Sequence, residues 1–137
     1  MKSIIAATAM AAAAILSNPA GLHAETAMSA TMPDTSALSE DQARALITRL
    51  AQVNVITSNC PAHAISDGEW TLITGTSDQL AAQLGLDASE YDRQFYAPAF
   101  RLLDDPGACD RVGATTAGVL DELRAMGGDT APVTRSE

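Results

Sequence analysis

Cys60-Pro61-Ala62-His63 is the stretch of this chain that most invites chemistry. A thiolate beside a histidine base is a nucleophile arrangement. The competing reading is a disulfide cysteine followed by a loop histidine, and Cys109 is available to pair with Cys60. Once oxidised, Cys60 has no thiolate to offer, so no catalytic residue is assigned. The segment lacks the C-x-x-C-H run of covalent haem attachment, and the chain holds no C-x-x-C redox pair. G-x-S-x-G, H-E-x-x-H, phosphate-loop and dinucleotide fingerprints are also missing.

Metal sites fare no better. After His23, the only histidine is His63, whereas zinc draws on several Cys and His ligands. Asp104, Asp105 and Asp110 flank Pro106-Gly107 and offer oxygen ligands of the kind calcium accepts. Their spacing departs from the D-x-D-x-D-G loop, and Asp105-Pro106 reads as a helix cap followed by proline at the first helical position. In the Asp87, Glu90 and Asp92 group, Asp87 reads as a cap and Glu90 as its reciprocal partner. No metal or cofactor is expected.

The candidate binding face is aromatic: Trp70, Tyr91, Phe95, Tyr96 and Phe100. At helical spacing Tyr91, Phe95, Tyr96, Phe100, Leu102 and Leu103 spread over about half the circumference. Such a face fills a core, lines a pocket or shows itself to a partner. Core filling is the default. The tyrosine hydroxyls need polar company, which places their rings at the core margin.

These residues must be carried by a small exported domain. Lys2 supplies a positive start, and Ile4 to Leu16 form an apolar run that is too short to cross a membrane, which takes roughly 20 residues. Leu22-His23-Ala24 offers a cleavage site, giving a signal peptide over 1–24 and a new first residue at Glu25. No stable membrane anchor is then left. The expected location is the periplasm or the exterior, where two cysteines form one disulfide.

Loss of Lys2 takes the formal charge from −9 to −10, leaving seven arginines against 17 carboxylates. A surface of this sign repels nucleic acid and anionic lipid, and both are excluded as partners.

Helical signals fill the body. Residues 25–37 show no period and read as a mobile leader, residues 38–127 as a helical domain and residues 128–137 as a flexible tail. Ser39-Glu40-Asp41-Gln42 and Ser66-Asp67-Gly68-Glu69 fit capping boxes, and Asp87-Ala88-Ser89-Glu90 opens a third helix in the same way. Ala43, Leu46, Ile47, Leu50, Ala51 and Val53 form the first apolar stripe. Trp70, Ile73, Leu80, Ala81 and Leu84 form the second, with Gly85 as its stop. Gly75 leaves residues 67–85 open to either one bent helix or two short ones. Pro98 predicts a kink or break near Ala97. The last stripe runs from Cys109 through Val112, Val119, Leu120 and Leu123 to Met126. Gly113 interrupts it and Gly127-Gly128 ends it.

The expected fold is all-α, a small bundle of four or five helices whose first and last helical elements are tied by Cys60 and Cys109. The expected function is a non-catalytic binding or interaction module for an unknown protein or a small apolar ligand. One alternative is an acid-stress chaperone, because a small exported helical domain with one disulfide resembles the periplasmic acid-stress chaperones in general plan. The other alternative is a small enzyme with an unidentified site.

Overall fold

The computed structural model describes residues 30–131. The expected signal peptide and its expected cleavage point at Ala24 and Glu25 lie outside them. Six α-helices follow one another: α1 Glu40–Asn59, α2 Asp67–Gln83, α3 Ala88–Tyr91, α4 Ala97–Phe100, α5 Ala108–Gly113 and α6 Thr116–Ala125. A π turn, Asp92–Tyr96, joins α3 to α4, and 3-10 turns occupy Pro61–His63 and Arg101–Asp104. The described chain therefore reads as four helical segments: α1, α2, the composite rod from α3 to Asp104, and the α5–α6 pair.

Local chemistry starts these helices where the sequence indicates. At α1, α2 and α3 both halves of the capping box form, through Ser39 with Gln42, Ser66 with Glu69, and Asp87 with Glu90. Each box satisfies two backbone N–H groups that have no partner inside the helix. α2 is a single helix across Gly75 and ends in a Schellman turn. Gly85 takes φ +68°, and the Leu86 N–H reaches back to the Ala81 carbonyl. Gly127, at φ +94°, closes α6 in the same manner.

The core lies between α1 and α2, and α6 and the composite rod cover it. Leu46, Ile47, Leu50 and Ala51 of α1 meet Leu72, Ile73 and Leu80 of α2, with Phe95, Val119, Leu120 and Leu123 completing the set. Full burial of one such side chain contributes roughly 1.5–3 kcal/mol. A second, smaller cluster of Ile56, Cys60 and Ala108 surrounds the disulfide. Cys60 and Cys109 are bonded, with Cα atoms 5.9 Å apart. The expected all-α bundle, tied between its first and last helical regions, is the observed one.

Several local expectations are revised. Pro98 does not break the rod. The π turn just ahead of it widens the helix by one residue, the Ala97 N–H bonds to the Asp92 carbonyl, and the helix continues past the missing proline donor. Asp105 is not the cap of α5, because Gly107 holds that position. Asp105 instead closes a tight turn, its carboxylate accepting from the Gly107 N–H at 2.9 Å and from Arg111 at 2.7 Å.

The segment read as a leader is packed from residue 30 onward. Thr35 is buried against α2. Its hydroxyl donates to Gln83 Oε1 at 2.8 Å and accepts from Gln79 Nε2 at 2.7 Å. Met32 lies over Gly75, where an added Cβ would sit 2.6 Å from its sulfur. Thr31 pairs with Asp129 in an isolated antiparallel bridge, so the first residues of the tail are packed as well. An extended strap held by glutamine side chains has no hydrophobic period for a sequence pattern to reveal.

Candidate functional site

The aromatic residues of the expected face differ widely in burial. Phe95 is 7% exposed and belongs to the core, whereas Trp70 is 48% and Phe100 52% exposed. Tyr91 touches Phe95, with centroids 6.2 Å apart, and Tyr96, edge-on at 5.1 Å. Trp70 lies in the first turn of α2, outside the set of side chains packed on the core. Phe100 and the exposed Leu103 follow one another on the outer side of the rod.

The tyrosines lie at the core margin. Tyr96 accepts from Asn54 Nδ2 at 2.8 Å. The Tyr91 hydroxyl and the Ser77 Oγ are both buried without a hydrogen bond of proper geometry. Burial raises the Tyr91 pKa well above the usual phenol range, with the nearby Ser77 hydroxyl opposing the rise. A phenol held neutral in this way offers no base at neutral pH.

His63 stands in the 3-10 turn after Cys60. Its Nε2 lies 3.0 Å from Asp110 Oδ1, and its ring covers Gly113. Cys60 is consumed in the disulfide, so the histidine has no thiol to activate. Asp104, Asp105 and Asp110 do not converge. Among the described residues no three of His, Cys, Asp and Glu come together around a point that could hold a metal ion.

A formed concavity lies elsewhere, in a half-open groove of about 560 Å³ between α1 and the α5–α6 pair. Arg49 and Gln52 of α1 form one wall, and Arg111 and Val112 of α5 the other. Ala114, Thr115, Gly118 and Val119 close it along the start of α6. Two guanidinium groups and no carboxylate line a groove in a chain whose formal charge is −9.

Each arginine is paired with an acid that is not part of the lining. Arg49 grips Glu122 with two N–H groups, one of them 2.9 Å from Oε1. That contact holds the Glu122 carboxyl below the usual glutamate range and raises the Arg49 pKa. Arg111 gives one hydrogen bond to Asp105, whose carboxyl is lowered first by that guanidinium and then by the Gly107 N–H. Arg111 carries five N–H donors, and among the described residues only this one has a side-chain acceptor.

Arg49, Arg111 and Gly118 are not distinguishable in the sequence as a site, because they come together from three separate helices. The one local signal is Gly118, a glycine within the last helical stripe. No family model matches the sequence, and no curated protein and no solved structure matches the chain.

Proposed function

We propose that this chain is an exported, non-catalytic binding module and that the groove between α1 and the α5–α6 pair is its site. The observation that carries the reading is a preformed concavity whose wall bears two arginines and no acid, on a chain with a large acidic excess. A mostly apolar cleft with a few convergent polar groups is the usual form of a small-molecule site. The residues that could have formed a reacting centre are otherwise engaged, Cys60 in a disulfide and Asp105 with Arg111. Export is supported by the Cys60–Cys109 bond, since disulfides persist in oxidising compartments. No helix among the described residues is long and apolar enough to cross a membrane.

The test is site-specific photo-crosslinking in cells, with the photoreactive residue at Gln52 inside the groove and, as a control, at the exposed Ser89 of α3. A discrete adduct from position 52 at neutral pH, and none from position 89, is the expected result. Equal labelling from both positions would refute a site in the groove. Adducts that arise only when the cells are acidified would favour the acid-stress chaperone instead.

A further inference from the structure

We infer that the groove takes a small monocarboxylate with an aliphatic body, its acid head on Arg111 and its body over Gly118 against Val112 and Val119. This inference rests on the groove being the site proposed above. Three observations point to this chemistry.

The first is the excess of donors. Arg111 spends one N–H on Asp105, and Arg49 keeps donors beyond the two that hold Glu122. The Thr115 hydroxyl is itself satisfied by the Val112 carbonyl at 2.7 Å, so it does not compete for the head group. Guanidinium forks match the planar geometry of a carboxylate.

The second is the charge balance. Each arginine already faces one partly exposed carboxylate of the chain, Glu122 or Asp105, so the two ion pairs carry no net formal charge. A monoanion adds only one charge to this balanced set and can still take the remaining guanidinium N–H donors. A phosphate dianion would add twice that charge, on a protein that repels anions as a whole.

The third is Gly118. Glycine is a poor residue inside a helix, and Gly118 does not use the positive φ that only glycine tolerates well. A Cβ built on it meets nothing within 4 Å. Packing within the protein therefore does not require a glycine here. What the missing side chain preserves is the floor of the groove, where an alkyl chain can lie against the helix backbone.

The experiment is calorimetric titration of the purified chain with sodium octanoate, 1-octanol and inorganic phosphate. Octanoate should bind in the micromolar range, and 1-octanol and phosphate at least about tenfold more weakly, because a hydrogen bond to a charged group is worth about that factor or more. Arg111→Gln should weaken octanoate by about tenfold. Gly118→Leu should abolish its binding while the melting temperature holds or rises, since leucine favours the helix that glycine weakens. Equal binding of octanol, equal binding of phosphate, or undiminished octanoate binding by a folded Gly118→Leu chain would each overturn the inference. Failure of octanoate to bind would also overturn it, whereas a crosslinked adduct at position 52 would leave the groove standing as a site for other chemistry.

Discussion

Arg49 and Glu122 join the first long helix to the last through a two-pronged guanidinium–carboxylate contact, one hydrogen bond of which measures 2.9 Å. The pair lies beside the groove and sets where the Arg49 side chain points. Because the folded state lowers the Glu122 pKa, the contact stabilises the protein at pH values above the ordinary glutamate range. That stabilisation is lost as the pH falls through the folded-state pKa.

Glu122→Gln should therefore lower stability by about 0.5–1 kcal/mol at pH 7, a modest figure because both side chains remain partly exposed to water. That amounts to a few degrees in melting temperature, roughly 4–8 °C per kcal/mol for a domain of this size. Thermal melts at pH 7 and pH 3 provide the check. The two proteins should differ at pH 7, the gap should narrow as the pH falls toward 3, and an equal gap at both values would contradict the linkage.

Replacing both Cys60 and Cys109 by serine should leave the helical circular dichroism intact and lower the melting temperature by about 15–30 °C. The bond closes a loop with a sequence separation of 49, which in the chain-entropy model is worth up to about 4 kcal/mol. Unfolding by heat, with and without reductant on the parent protein, measures the same quantity independently. A double mutant that melts with the oxidised parent would contradict the prediction.

Gly113→Ala should cost about 1–3 kcal/mol. Its new methyl would come to 2.4 Å from Cγ of the His63 ring, which must then leave its place beside Asp110. His63→Ala removes the obstacle, so the double mutant should be more stable than the sum of the single losses implies. Denaturant midpoints of the four proteins in the cycle give the coupling energy, and strict additivity would disprove the contact.

Thr35→Val retains the shape of the buried side chain but removes the hydroxyl between Gln79 and Gln83. A loss of about 1–3 kcal/mol is expected, the cost of an unsatisfied buried polar group. Hydrogen exchange should show the Leu38 and Asp34 amides, which bond to Thr35 and Met126 carbonyls, exchanging faster. Unchanged exchange would mean that the strap is held by other contacts.

What was legible in the sequence was whatever is decided within one or two helical turns. Ser39 with Gln42, Ser66 with Glu69 and Asp87 with Glu90 form their boxes because both partners lie three residues apart. Gly85 and Gly127 end helices because only their own backbone must turn left-handed. Trp70 and Phe100 carried no such local information. Periodicity placed both on apolar stripes, and their exposure depends on which other helix arrives to cover them. The same limit hid the groove, whose arginines come from separate helices, and the Thr35 strap, which is anchored by side chains 44 and 48 residues away. Asp105 departs from its expected capping place for a different reason. Asp-Pro-Gly satisfies its carboxylate within the turn, one step before the helix begins.

The bridge between Thr31 and Asp129 also sets the order in which the molecule can close. Ribosomes release a chain from its amino end, so the strap emerges before any helix while the backbone it pairs with emerges after α6. The helices have all of their caps before that moment, but the strap cannot be fastened until nearly the whole described chain is free. This seam thus forms only after the last described helix has been made. Because the two ends of the described segment meet there, a circularly permuted chain joined across Thr31 and Asp129 would carry that seam from birth.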